Sequence, residues 1–320
     1  MIEPVHDDGH SRLRVPATAR RAVQALLRSA IGPRGSEAGP QGPAPTAPGG
    51  LVEDSFCRDM PGPDSAVGLF AGQWSSRLPP PYEDLTGAGA DLFEDGRITW
   101  AASQFGNLRD MRVLELGPLE GGHSYMLDRM GVAEVTAIEA NRRAYLRCLV
   151  VKEVLGMPAA HFLCGDFMAY LRDAVSRGDR WDLCLAVGVL YHQQDPVALL
   201  ELACSVSDRL LLWSHYYDGA ILGRRPELAA NFPSSRSQTT AGFTHTLHRH
   251  EYGASLGWQG FCGGLDTWTT WMTRADIFGA LEHFGFEVTA TAFDDHDHPN
   301  GPALCLAAVN RRSKAASSEE

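Results

Sequence analysis

The chain has 320 residues, 44% hydrophobic and 21% charged, enough for one substantial α/β core with attached elements. Its net charge of -11, with a pI near 5.5, weighs against a protein that grips nucleic acid through phosphates, although a local basic patch on an acidic chain stays open. There is no apolar run long enough for a bilayer, and residues 1–10 are acidic and polar, so neither a membrane span nor a secretory signal is expected.

In chain order, residues 11–31 read as a basic amphipathic helix, with Ala22, Leu26 and Leu27 among Arg14, Arg20, Arg21 and Arg28. Residues 32–50 are rich in Pro, Gly, Ala and Ser and read as a linker, so that 1–63 forms an N-terminal extension and a core domain spans 64–310. Within that domain 66–70 could pair as a strand, and 92–105, with Ile98, Ala101 and Phe105 at helical spacing, predicts a helix. Strands at 112–116, 134–138, 161–164, 181–187 and 209–213 then alternate with helices at 124–130, 142–155, 167–175 and 196–203. Short apolar strands in strict alternation predict a mostly parallel sheet covered on both faces. Residues 217–272, rich in Gly, His, Thr and Trp, break the rhythm and predict a lid-like insert. A helix at 274–284 and two strands, 286–292 and 303–309, close the domain as an antiparallel hairpin, and a polar tail, 311–320, is expected to be disordered.

The strongest chemical signal is the stretch Val113-Leu114-Glu115-Leu116-Gly117-Pro118-Leu119-Glu120-Gly121-Gly122. A strand running into a glycine turn that opens a helix binds a nucleotide-like ligand at the carboxyl edge of a sheet. A dinucleotide would need a second glycine where Leu119 stands, and Glu115 and Glu120 would repel its phosphates. S-adenosylmethionine has no phosphate and two cationic centres, so an acidic glycine loop suits it better. Glu139, 22 residues after Gly117 and followed by Ala140, could accept both ribose hydroxyls. Asp166 could accept from the adenine amine and Phe167 flank its ring, with Val187 ending the fourth strand nearby. Each alone could be a strand-end cap; in order along one edge they point to a cofactor.

Together with Val187-Gly188-Val189-Leu190-Tyr191-His192 and Asp195-Pro196, these segments resemble the class I S-adenosylmethionine-dependent methyltransferases, closest to the branch containing the tRNA wobble-uridine carboxymethyltransferases. The resemblance covers about residues 66–310 and is strong from 110 to 215. It implies a Rossmann-like seven-stranded α/β sheet with a terminal antiparallel hairpin, and S-adenosylmethionine as cofactor. Two departures stand out: Gln193 and Gln194 follow the Tyr-His pair where that branch has basic residues, and the cationic partners of a carboxylated cofactor have no evident counterparts.

Tyr191, His192 and His215 are the candidate catalytic residues, at the ends of the fourth and fifth strands. A histidine simply hydrogen-bonded in a loop is the plainer alternative for His192. Trp74, Trp213, Tyr216, His245 and Trp258 are assigned to an acceptor pocket suited to a small hydrophobic or aromatic metabolite of specialised metabolism. A prenyl diphosphate would fit if a divalent ion such as Mg2+ bound near Asp294, Asp295 and Asp297 or near His245, His248 and His250; neither cluster has recognised ligand spacing, and no metal site is assigned. The seven scattered cysteines, with no CxxC pair, read as buried thiols of a cytoplasmic protein. Two alternatives stay open: a tRNA-modifying enzyme, needing a basic surface from Arg142, Arg143 and Arg147, and a silent cofactor-binding partner protein. The oligomeric state is not legible.

Overall fold

The computed structural model describes residues 56–257 and 263–311. The expected helix at 11–31, the linker at 32–50, Trp258 and the tail beyond Arg311 lie outside these residues. Among the described residues the first element is a helix, α1 (Pro63–Gly68), where a strand at 66–70 was expected. Pro63 at the first helical position presets φ, and Asp64 in the first turn complements the helix dipole, which outweighs the short apolar run. The helix expected at 92–105 is divided: a 3-10 turn (Leu92–Glu94) precedes α2 (Gly96–Phe105), and Asp95 between them caps α2 by accepting from the Arg97 amide.

The alternating section follows the sequence pattern: β1 (Arg112–Leu116), α3 (Gly122–Arg129), β2 (Glu134–Glu139), α4 (Arg142–Leu155) and β3 (Ala160–Cys164). Then come α5 (Phe167–Arg177), β4 (Leu183–Val187), α6 (Pro196–Val206) and β5 (Arg209–His215). The insert opens with two single-turn helices, α7 (Gly219–Leu222) and α8 (Pro226–Ala229), and continues as a separate antiparallel sheet of β6 (Ser234–Thr240), β7 (Phe243–Glu251) and β8 (Trp268–Met272). Helix α9 (Arg274–His283) and the hairpin β9 (Phe286–Asp295) and β10 (Ala303–Asn310) complete the main sheet.

That sheet has seven strands in the order β3-β2-β1-β4-β5-β10-β9. β1 to β5 are parallel, and β10 enters antiparallel to both β5 and β9. Strand side chains alternate between two cores. Leu114, Cys184, Leu212 and Leu306 pack with α5, α6 and α9, while Val113, Leu185, Leu211 and Cys305 pack with α1, α2, α3 and α4. The strand order reverses between β1 and β4, which opens a crevice at the carboxyl edge, where such sheets bind ligands. No helix among the described residues is long and apolar enough to cross a membrane.

Candidate active site

At the crevice β1 gives way to a tight loop. Gly117 sits at φ +68°, and a Cβ there would lie 2.9 Å from Val189 Cγ1, so a side chain would be both strained and crowded. Leu119 adopts φ +57° without being glycine. It is held there by its amide, which donates to Glu139 Oε2 at 3.0 Å, and by its carbonyl, which accepts from Cys148 Sγ at 3.5 Å. Glu139, the last residue of β2, also accepts from the Asn141 amide at 2.8 Å. Burial raises its carboxyl above the ordinary range; these two backbone bonds oppose the shift and nearby Glu115 adds to it. Ala140 follows Glu139 on the same edge. At the end of β3, Asp166 caps α5 through the Met168 amide at 2.8 Å and is exposed, while Phe167 is half-buried beside it. Val187 ends β4, half-buried.

Glu120 plays a different part from the one expected. It is fully buried and accepts from the amides of Ser75 and Ser76, each at 2.9 Å, with Arg147 Nε 3.3 Å away. It therefore clamps the segment before α2 onto the loop and is already neutralised by Arg147. Trp74 belongs to this clamp as well. Its indole donates to the Val67 carbonyl at 3.1 Å and packs edge-on against Phe70 in the core.

Beneath the loop runs a buried charge network that the linear sequence does not signal. Arg97 pairs with Asp95, Asp95 lies 3.0 Å from His123 Nε2, His123 Nδ1 lies 3.4 Å from Glu115, and Glu115 accepts from the Ser124 hydroxyl. Burial disfavours charge on His123, yet its bonds to Asp95 and Glu115 prevail and push it up to about 9, so the ring is an imidazolium at neutral pH. Burial likewise opposes ionisation of Asp95, and Arg97 and His123 together hold it well below the usual carboxylate range. Arg97 lies 4.9 Å from the Trp213 ring, linking the cofactor side of the crevice to the ends of β4 and β5.

Those strand ends carry a connected set of rings. Tyr191 and His192, in a 3-10 turn (Leu190–His192), are 4.1 Å apart by ring centre, and Tyr191 meets His215 at 4.7 Å and Trp213 at 5.7 Å. The facing wall is the insert sheet. Its register sets His248 opposite Trp271 and His250 opposite Thr269, on the face turned toward β4 and β5. Trp271 stacks between His215, at 5.1 Å and 7°, and His250, at 4.9 Å and 19°. Thr269 Oγ1 donates within 2.7 Å of the Tyr191 and Gln193 carbonyls, and the Thr270 amide donates to Gln193 at 2.9 Å, which ties the sheet to the 3-10 turn.

His215 Nδ1 lies 3.0 Å from the Gly301 carbonyl and 3.3 Å from that of Pro302. Carbonyls only accept, so Nδ1 carries the proton and Nε2 keeps its lone pair. Burial, helped by His298, draws His215 down to about 3. Burial with His250 draws His192 to about 3, and burial alone draws His250 to about 4. His192 Nδ1 is 2.6 Å from the Tyr252 hydroxyl, which also accepts from the Gly264 amide at 3.1 Å.

Of the residues expected in the pocket, Trp213 meets the candidate catalytic residues Tyr191 and His215. Besides Trp74, two do not. Tyr216, next along β5, points to the opposite core and donates to Asp294 at 2.7 Å, and burial followed by this bond raises its phenol. His245 shares its face of β7 with Leu247, which packs on the core with Met272, and it stacks on Phe243 with Nδ1 3.1 Å from the Phe243 carbonyl. Period-2 alternation thus separates it from His248 and His250. Sequence reasoning missed Phe232 and weighed His250 only as a neighbour of a metal ion. The available signal was alternation within 243–251, which marks a strand whose even positions share a face. Among the described residues no group of three His, Cys, Asp or Glu side chains is arranged to hold a metal ion. Asp294 is taken by Tyr216 and by Arg274 at 2.5 Å.

No protein-family model matches the sequence. Over 146 residues it is 25% identical to the tRNA U34 carboxymethyltransferase of Psychrobacter cryohalolentis, a match covering 41% of this chain and 40% of that protein, so well under half of the curated relative is spanned. The crystal structure of the N-terminal domain of EvdMO1 with SAH bound superposes with a TM-score of 0.57 at 22% identity, covering 77% of this chain and 94% of that one. The same domain in the presence of SAH and D-fucose gives 0.56 at 21% identity, covering 82% and 99%. Against EvdMO1 as a whole the chain spans 47% of the length, with a TM-score of 0.50.

Proposed function

Proceeding from the class I methyltransferase fold, which this chain has, we propose that the protein transfers the methyl group of S-adenosylmethionine to a small-molecule acceptor lying between the ends of β4 and β5 and the inner face of the insert sheet. The observation that carries this reading is Glu139. A carboxylate at the end of β2, tied to the glycine-turned loop, suits the ribose hydroxyls of a nucleoside, and the second carboxylate close by, Glu115, favours a cationic, phosphate-free one. The residues fit the cofactor. The free lone pairs of Glu139 would take the ribose hydroxyls. The backbone of Gly117, Leu119, Gly121 and Ala140 would lie along the ligand, with Asp166, Phe167 and Val187 at the adenine end. When bound, the cofactor supplies an electrophilic methyl on a sulfonium.

The chain's own part is positioning and proton handling. Tyr191, Trp213 and Trp271 wall the acceptor, and His192 orients it. His215, kept neutral with its Nε2 lone pair free, accepts the acceptor's proton as the new bond forms. A base drawn down to about 3 suffices, because an alkylated oxygen is far more acidic than the alcohol it came from. A diphosphate-bearing acceptor lacks support, since its phosphates would need a cation site and Asp294 is already committed to Tyr216 and Arg274. The partial likeness to a tRNA-modifying enzyme favours a second reading, transfer to tRNA. Against it, Arg147, one of the arginines needed on a basic surface, is buried against Glu120.

The test is transfer from isotopically labelled S-adenosylmethionine to bulk tRNA and, in parallel, to a panel of small molecules. Label in a small molecule supports the main reading and label in tRNA promotes the second. Binding of the cofactor with no transfer to either would favour a silent partner protein.

A further inference from the structure

We propose that the acceptor is a hydroxyl-rich ring of the sugar or cyclitol class, recognised by unpaired ring nitrogens on the inner face of the insert sheet. The inference rests on the methyltransferase reading above and narrows its acceptor.

Aromatic walls by themselves suit an apolar metabolite. The nitrogen atoms do not. Trp271 is only 3% exposed, and its indole Nε1 has no hydrogen-bond partner among the described residues; His250 Nδ1 and His248 Nε2 have none either. All three residues project from one sheet face, as the pairing of His248 with Trp271 and of His250 with Thr269 requires. The rings are themselves well packed: Trp271 on His215 and His250, and His248 on Tyr217 at 3.5 Å and 6°.

A buried donor or acceptor left unpaired costs about 1–3 kcal/mol, and native structures keep few of them. These nitrogens are closed off from solvent as well as unpaired, and an apolar acceptor would give them no partner. A ring bearing several hydroxyls offers an oxygen to the indole N–H and O–H groups to the imidazoles. Its C–H face lies flat on rings such as Phe232, which sits 5.0 Å from Trp271. An anionic ring is less suited, because burial keeps the facing imidazoles uncharged. In the reaction one acceptor hydroxyl oxygen forms the bond to the methyl carbon. The carbon–sulfur electron pair returns to sulfur, leaving S-adenosylhomocysteine, and the hydroxyl proton passes to His215 Nε2.

The experiment uses the full chain saturated with S-adenosylhomocysteine, whose binding is first measured by calorimetry. Two panels are then titrated by tryptophan fluorescence: D-glucose, D-fucose and myo-inositol against cyclohexanol, phenol and indole. The expected result is binding of at least one hydroxylated ring in preference to every member of the second panel. His250→Phe, which keeps a ring but removes the nitrogens, then weakens that binding tenfold or more with unchanged S-adenosylhomocysteine affinity and no loss of melting temperature. His250→Asn retains more of the binding than His250→Phe. Preference for the second panel, binding of neither panel, or an unaffected His250→Phe overturns the proposal. Failure to bind S-adenosylhomocysteine would instead sink the methyltransferase reading itself.

Discussion

At the scale of single residues, the proposed site divides into a carboxylate that would hold the cofactor and an imidazole that would accept a proton. Glu139 ties Leu119 into a left-handed conformation that costs a non-glycine residue roughly 1–3 kcal/mol, so it shapes the loop as well as facing the ligand. Glu139→Ala should weaken S-adenosylmethionine binding tenfold or more by calorimetry, since a charge-assisted hydrogen bond is worth about 1.5–3 kcal/mol. An unchanged affinity would mean that β2 does not end at the ribose. His215 makes a separable prediction. His215→Asn should lower kcat by roughly 10²–10⁴-fold, the usual worth of a positioned proton acceptor, and leave cofactor affinity alone. The reactive form of His215 is neutral, and its pKa lies near 3, so protonation removes it only as pH falls through about 3. The rate profile should therefore show no histidine limb near the ordinary value of about 6.5.

At the scale of elements, the segment before α2 and the insert are each fastened by a few bonds to the Rossmann-like core. Glu120 fastens the first, through Ser75, Ser76 and Arg147. Removing one partner of a buried ion pair strands the other charge at a cost of about 3–5 kcal/mol. Glu120→Gln should lower unfolding free energy in urea by that order; a loss below about 1 kcal/mol would show that the clamp adds little. The insert sheet is fastened by Thr269 and Thr270 to the backbone at Tyr191 and Gln193, and Leu247 and Met272 join it to the core of α6 and α9. One face of the insert sheet thus packs on the core and the other faces the strand ends, as the alternation of side chains along 243–251 requires.

For the whole molecule, buried histidines set a pH window with two sides. His192, His215 and His250 are drawn down to about 3, 3 and 4, against an unfolded value of about 6.5. Below about 6.5 the unfolded chain binds protons that the folded one refuses, so stability falls as pH drops from about 6.5 toward 3. His123 runs the other way. Raised to about 9, it stabilises fully below about 6.5, and that contribution is lost as pH climbs through about 9. Melting temperature should be highest near neutral pH. His123→Gln should remove the added stability at pH 6–7 and flatten the alkaline side; an unchanged alkaline slope would exclude His123 as its source.

The sequence by itself determined the sheet and the cofactor edge. Short apolar strands alternating with helices, a glycine turn after β1 and carboxylates closing β2 and β3 are local patterns whose spacing survives without knowledge of contacts. Tyr191, His192, Trp213 and His215 were legible for the same reason, since strand ends in a parallel sheet share one edge. Only the tertiary structure decided which neighbouring side chains meet. Tyr216 and His245 fell to the wrong faces, because one step along a strand reverses a side chain. Glu120 and Trp74 turned inward, toward partners at Ser75, Ser76 and Val67. The Asp95–Arg97–His123–Glu115 network and the stack of His215, Trp271 and His250 join residues far apart in the chain. No local pattern encodes such contacts, because burial and pairing are properties of the packed chain and not of any window of it.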